Sequence, residues 1–370
     1  MLGHAAVDAS GLDAAHGTEL LDHVVRTGSH VRPDRRRVAV ADRRVNADTI
    51  TRIDDITVMP GCRDRFVDLL RSQYLPGAEV RGLELVDLAL APPVDVPDAE
   101  TGVVLTWHLD GIDGFWKTRR ATIEDPNVAA FWDATAGFIA RRTRRFAQPS
   151  LTTGPVDDDP GAPVTTDGVH HIVLLNLAAD TEPVFQPRSP VRGSRGGRHL
   201  PGSIGGPDAS WEFDADEPLD IAAGAVSGAG IADVVVLGAA IGGGVRAPDL
   251  RDGVKRTLLL RVDDRASEDA IGAFERDLLA MAHHIPAIRN WRLARVASSR
   301  GGWTHAWEQE YAELSGLRDD YMRSPYHWGV VDGWFDAEDP RCIVALHLLH
   351  LFYNAEASVI APNATDQPRR

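Results

Sequence analysis

The order of elements between Lys255 and Asn354 constrains the fold more than any other feature of the chain: strand, helix, strand, strand, helix, strand. Lys255 to Val262 is an apolar run of strand length. Ser267 stands as an N-cap before a stretch in which Ile271, Phe274, Leu278 and Ala282 share one helical face. Trp291 to Ala297 and Trp303 to Tyr311 read as strands around a Ser-Ser-Arg-Gly-Gly turn. Two helical pieces follow, Leu317 to Met322 and Tyr326 to Phe335, broken at Ser324-Pro325. Ile343 to Tyr353 is the closing strand. A sheet connected in this way carries its helices on one face only. Its other face must be covered, usually by a second copy.

The same order recurs upstream. In residues 49–156, Arg52 to Met59 is strand-like, and a helix with Phe66, Leu69, Leu70 and Tyr74 on one face is stopped by Pro76-Gly77. Leu83 to Leu90 and Val103 to Leu109 are two further strands. Ile112 to Phe146 then reads as helix interrupted at Asp125-Pro126, and Arg141, Arg142, Arg144 and Arg145 are expected to complement its C-terminal dipole. A short last strand is expected near Ser150 to Val156. Residues 157–168 are a linker by composition, and residues 169–250 an abbreviated unit without its first helix. That unit comprises strands at His170 to Leu177, Trp211 to Phe213 and Asp233 to Leu237, and a short helical piece near Leu219 to Val226. It also holds a Gly/Pro/Arg-rich loop over 186–207 and a Gly242-Gly-Gly-Val-Arg-Ala-Pro248 connection. Residues 251–356 form the final unit, with a flexible arm over 1–48 and a tail over 357–370. The expected fold class is therefore α+β, tandem ferredoxin-like β-α-β-β-α-β units whose pairing is at least partly internal, with homodimerisation as a further expectation.

Bulk properties narrow the partners. A formal charge of -15 argues against nucleic acid as a main partner. No run approaches the roughly 18 apolar residues of a membrane span. Met1 to Ser29 lacks an apolar signal core, and Cys62 and Cys342 are the only cysteines, so a cytoplasmic protein with reduced thiols is expected.

Three motifs in the final unit go together: His284-Ile-Pro-Ala-Ile288, Gly302-Trp-Thr-His-Ala306 and Tyr321-Met-Arg-Ser-Pro-Tyr-His327. With them, residues 255–354 resemble the stress-responsive dimeric α/β-barrel (Dabb) family, and residues 52–150 resemble more loosely the NIPSNAP and antibiotic-monooxygenase-type barrels. The resemblance implies a dimeric α/β-barrel architecture. Its olivetolic acid cyclase branch closes a linear poly-β-ketone into a ring by aldol condensation, using a Tyr and a His. Those two match Tyr321 and His327 here, and a third-strand His matches His305. The branch's first-strand His falls on Arg256, which is a departure, while His171 stands at the equivalent position of the middle unit. A cavity built from both units would regain the missing group.

The chemistry is consistent with that implication. Aldol closure needs a base near neutral pH, and the His327 imidazole suits it; Tyr321 would donate to the enolate oxygen. The plainer alternative is a helix-initiating Pro-x-His turn beside a core tyrosine. By period two, Trp303, His305 and Trp307 share one strand face suited to a planar ligand, with Arg256 and Trp328 as further substrate contacts. Trp107 and His108 belong to a second polar-aromatic set with Trp116 and Trp132. No metal is expected, because His347 and His350 are three apart on a strand, His283 and His284 are adjacent, and no HExxH or CxxC occurs. No nucleotide-binding fingerprint occurs either. The reading that follows is a tailoring enzyme acting on an aromatic or polyketide-type small molecule by base-assisted cyclisation without a cofactor. The alternatives are a monooxygenase, cofactor-free or using reduced flavin, a haem-binding barrel, and a non-catalytic stress-response barrel.

Overall fold

The computed structural model describes residues 48–149, 156–164, 168–178, 184–185, 191–219, 221 and 226–361. The expected arm over 1–47, the last strand near 150–155 and the tail beyond 361 lie outside the described residues, as do Arg188 in the expected loop and most of the helical piece near 219–226. The chain divides into two compact units, Met1–Ser150 and Leu151–Arg370. Among the described residues no helix is long and apolar enough to cross a membrane.

In the first unit β1 (Ile50–Val58) is followed by α1 (Arg63–Leu69), a π-helical turn (Leu70–Tyr74) and α2 (Leu75–Val80). Then come β2 (Glu84–Ala91), β3 (Thr101–Leu109), α3 (Gly111–Glu124), α4 (Pro126–Thr135) and β4 (Ile139–Ala147). The antiparallel sheet has the order β2-β3-β1-β4. Two expectations are corrected. Pro76-Gly77 does not end the helix: Pro76 falls in the first turn of α2, where its missing N–H costs no intrahelical bond, and the wider π turn precedes it. The arginine run is not a helix end but β4. A short 3-10 turn (Ala136–Phe138) ends the helix, and the arginines then alternate between the two faces of the strand. Arg144 points to the helix side and donates from Nε to Asp54 Oδ1 at 2.7 Å, whereas Arg141 and Arg145 point to the other face and are exposed. Asp54 also accepts from Arg52 Nε at 2.9 Å and Trp107 Nε1 at 3.0 Å. Burial would raise the Asp54 pKa, but Arg144 and Arg52 overcome it and hold the carboxyl below its usual range.

In the second unit β5 (Val169–Leu177), β6 (Val184–Phe185), β7 (Arg192–Arg198), β8 (Ala209–Ala215), β9 (Val226–Ser227) and β10 (Ala229–Val245) precede β11 (Arg251–Leu260). Then follow α5 (Glu268–His284), β12 (Asn290–Ser298), β13 (His305–Tyr311) and β14 (Leu349–Ala357). Apart from the β6-β9 ribbon, the strands form one sheet of order β14-β11-β13-β12-β10-β5-β8-β7. Each half repeats the ferredoxin-like order, fourth, first, third, second strand. The free ends of the sheet also meet: Leu200 N donates to Phe352 O at 2.9 Å, and Ile204 and His350 exchange backbone bonds of 2.8 and 2.9 Å. The result is a nearly closed eight-stranded barrel built within one chain.

Several expected loops are strands of this barrel. Part of the Arg-rich loop is β7, where Gly197 lies so close to Tyr353 of β14 that a Cβ would meet its ring at 2.9 Å. The glycine triplet continues β10 rather than linking units. A Cβ on Gly244 would lie 2.4 Å from the Trp291 ring, and one on Gly242 2.9 Å from Leu279 of α5. In the middle half no helix occurs among the described residues. Its outer face is closed by Val173, Leu175, Trp211 and Phe213, packed with Val226 and the half-buried Leu219 and Ile221.

Candidate active site

Strand parity sends neighbouring residues of β11 to opposite sides of the wall: Lys255 and Thr257 into the barrel, Arg256 and Leu258 towards α5. The barrel interior is apolar at one end, where Ile172, Leu259, Ala306 and Leu351 meet. At the other end lies a charged network. Lys255 Nζ is 3.0 Å from Glu212 and 2.8 Å from Glu308, and Arg292 Nε is 2.6 Å from Glu308. His170 Nδ1 is 2.7 Å from Asp214. Burial opposes every one of these charges. The two cations nevertheless hold Glu308 well below its usual range, and Glu308, Asp214 and Glu212 raise the His170 pKa. His170, Glu212 and Glu308 bring ligand atoms within 4.8 Å of one another, a spacing a metal could use. The Lys255 ammonium already lies against both carboxylates, so electrostatic compensation is provided by the chain itself. The sequence scan missed this cluster because its members come from separate strands.

The other side of the same wall carries a different set. Arg256 donates from Nε to His350 Nε2 at 2.6 Å and from Nη1 to Gln309 Oε1. Tyr311 donates its hydroxyl to the same Gln309 oxygen at 3.0 Å. The Arg256 guanidinium lies 4.7 Å from the Tyr321 ring centroid. Tyr321 in turn packs on His327, with ring centroids 4.2 Å apart. Tyr321 and His327 come together because Ser324-Pro325 separates two π-helical turns, Gly316–Tyr321 and His327–Val331. The chain thus folds back and stacks the second ring on the first. Wide turns of this kind recur at functional sites.

The electrostatics of this set are unusual. Arg256 is 3% exposed, yet among the described residues no carboxylate lies within ion-pair distance; its partners are neutral. Burial, then Arg256, then His327 push the His350 pKa well below its usual value, so His350 is neutral and accepts the Arg256 bond at Nε2. Its Nδ1–H and the Gln309 amide nitrogen are buried without partners. Burial and Arg256 lower His327 to about 3, and burial raises Tyr321 and Tyr311. At neutral pH the set therefore comprises a buried cation, two neutral imidazoles and two neutral phenols. The His327 ring keeps part of its surface open.

The sequence candidates divide accordingly. Tyr321, His327 and Arg256 are together, and Trp328 is buried on the same π turn as His327. His305 shares the outward face but pairs with Leu260, four residues along β13 from Gln309, about 13 Å at strand rise. It sits between Thr304 and Glu275, with Nε2 3.1 Å from Glu275. Burial lowers its pKa more than Glu275 raises it. Trp307 is buried on that face, with its indole nitrogen unpartnered. Trp303 departs from expectation: it precedes β13, joins the apolar end of the barrel interior and stacks on His347 at 5.3 Å. His171 cannot replace the missing first-strand histidine. It faces outward on the middle half, stacked on Phe213 at 4.8 Å, and accepts from Leu219 N at 2.9 Å. The two halves close inner face to inner face, so their outer faces lie on opposite sides of the barrel. Trp107 and His108 lie in the first unit, on opposite faces of its sheet. Gln309, Tyr311 and His350 were missed, although the parity of β11, β13 and β14 would have aligned them with Arg256.

Residues 254–344 match the family model for the stress responsive A/B barrel domain (Dabb). No curated protein matches the chain. Among solved structures, a NIPSNAP family protein from Agrobacterium tumefaciens is 16% identical, covering 29% of this chain and 91% of its own, with a TM-score of 0.25. A candidate antibiotic biosynthesis monooxygenase from Nitrosomonas europaea is 14% identical over 30% of this chain and 97% of its own, with a TM-score of 0.21. A candidate monooxygenase from Lactobacillus acidophilus is 8% identical over 84% of this chain and 96% of its own, with a TM-score of 0.22. Likeness at these values says nothing of chemistry.

Proposed function

We propose that the outer face of the C-terminal half-barrel binds a planar, carbonyl-rich small molecule of the aromatic or polyketide class and closes a carbon–carbon bond by base-assisted, aldol-type cyclisation. The observation that carries this reading is the buried Arg256 guanidinium with neutral partners only, beside the neutral imidazole of His327. A buried cation without a counter-charge is costly, and a substrate oxyanion offsets that cost. In this reading Arg256 meets a carbonyl oxygen that becomes an enolate, and the Tyr321 hydroxyl donates a second hydrogen bond to it. His327 removes the proton from the carbon α to that carbonyl. The enolate carbon attacks a second carbonyl of the same chain, and the new alkoxide takes the proton back from the imidazolium. Loss of water then yields the ring, and no redox partner or cofactor is needed.

A base with a pKa of about 3 is weak in the free protein. Arg256 is part of the cause, so negative charge developing on the substrate next to Arg256 raises the basicity of His327 when it is needed. The test is hydrogen–deuterium exchange at the activated methylene of a 3,5-dioxoalkanoate, followed by NMR with the purified protein. Exchange above the buffer rate is expected for the parent chain and its loss is expected in His327→Ala with the fold retained. Undiminished exchange in that variant, or oxygen uptake in place of exchange, would overturn the proposal.

A further inference from the structure

The sheet of the first unit is covered on one face only. Along β3, Val103, Leu105, Trp107 and Leu109 are buried towards the helices, while the alternate Val104, Thr106 and His108 are half-exposed. Along β1 the matching open-face residues are Thr51, Ile53 and Asp55, all half-exposed. Openness increases at the edges: Glu84, Asp87, Ala89 and Ala91 of β2 and Arg141, Thr143 and Arg145 of β4 are exposed. Two edge strands with unpaired backbone groups flank this face, and β2 also exposes Val86 by 50%.

The second unit shows how this chain covers such a face. Its two four-stranded sheets have the same strand order as β2-β3-β1-β4, and they meet with open faces inward. At one seam the second strand of one half, β12, lies beside the fourth strand of the other, β10; at the other seam, the chain following β7 bonds to β14. The barrel closes over charged side chains when they are mutually compensated, as Lys255, Arg292, Glu212 and Glu308 are.

We propose that the open face of the first unit is covered by the same face of a second copy of this chain, closing an intermolecular eight-stranded barrel. Charge selects this pairing. The second-strand edge carries Glu84 and Asp87 on its open face, and the fourth-strand edge carries Arg141 and Arg145. A two-fold axis that places β2 beside the partner's β4 sets acid against base at both seams. Pairing β2 with β2, or β4 with β4, would set like charges together. Half-exposed Ile53 and Val104 then lie in the centre of the contact.

The test uses the full chain and light scattering coupled to gel filtration at tens of micromolar. The parent protein is expected at twice the 40.1 kDa chain mass. One variant, Glu84→Lys with Asp87→Arg, makes both edges basic; another, Arg141→Glu with Arg145→Glu, makes both acidic. Each alone should dimerise at least about 100-fold more weakly and run at the chain mass, because like charges meet at both seams. An equimolar mixture should return to the doubled mass, since both mixed seams are complementary. That recovery separates a lost interface from a lost fold. A parent protein at the single-chain mass, as when the face is solvated or covered by the same chain, would overturn the proposal. Variants that remain dimeric alone, or a mixture that stays monomeric, would do the same.

Discussion

Lys255 and Arg256 are adjacent on β11, both are buried, and they face opposite sides of one sheet. Lys255 is enclosed by two carboxylates inside the barrel, while Arg256 has His350, Gln309 and the Tyr321 ring on the helix side. The first arrangement is complete in itself, and its charges pay for one another's burial. The second leaves a positive charge and two polar nitrogens unanswered. A protein gains nothing in stability from such a site. The contrast therefore separates charge that holds the barrel together from charge placed to meet something else.

The largest expected effect falls on the enclosed side. Glu308→Ala leaves the Lys255 and Arg292 cations without their shared carboxylate and should destabilise the second unit by about 3–5 kcal/mol. Urea unfolding measures it. Adding Lys255→Met to Glu308→Ala should recover part of the loss, because one orphaned cation is removed. A single variant as stable as the parent would show that the interior network is not structural.

On the open side the signs reverse. Arg256→Met should leave stability unchanged or slightly raised, yet lower the exchange rate by about 10²–10³-fold, the cost of losing one oxyanion partner. A destabilisation as large as that of Glu308→Ala would mean that Arg256 is structural too, and the contrast would fail.

The two faces should also answer pH in opposite directions. His170 has a folded pKa above the unfolded value, so its contribution is present below about pH 6.5 and is lost as pH rises through the folded value. His327 has a folded pKa of about 3, so its neutral form contributes above about pH 6.5, and that contribution is lost as pH falls from there towards 3. His170→Gln should therefore flatten the alkaline limb of a stability–pH curve and His327→Gln the acidic limb, each by on the order of 1 kcal/mol. Chemical unfolding across pH 4 to 9 would show it, and identical curves for the two variants would refute it.

The repeated strand order was legible in the sequence because burial on one face leaves a period-two trace, as in β3, and because Ser267 marks the start of α5 with a cap that the structure retains at 3.2 Å to Ala270 N. What misled was local chemistry overridden by packing. Arg-Arg-Thr-Arg-Arg looks like a helix end until Asp54 supplies a counter-charge across the sheet, and Gly-Gly-Gly looks like a linker until Trp291 needs the room. For the site, Tyr321 and His327 carried a readable spacing. Gln309, Tyr311 and His350 did not, since their meeting depends on which strands are neighbours.

The smallest effect is the most discriminating. His171 and Arg256 stand at equivalent first-strand positions of the two halves, but the His171 ring is satisfied throughout, stacked on Phe213, with Nδ1 on Val169 O and Nε2 accepting from Leu219 N. Burial lowers its pKa, so it is neutral, and no polar atom of it awaits a partner. His171→Phe keeps the stack and forfeits the Leu219 bond, so it should cost about 1 kcal/mol in urea unfolding and leave exchange at the parental rate. An exchange rate reduced as far as that of Arg256→Met would mean that the two halves share one site through the barrel wall. That result would break the separation of the two faces, which no change confined to the C-terminal half could do.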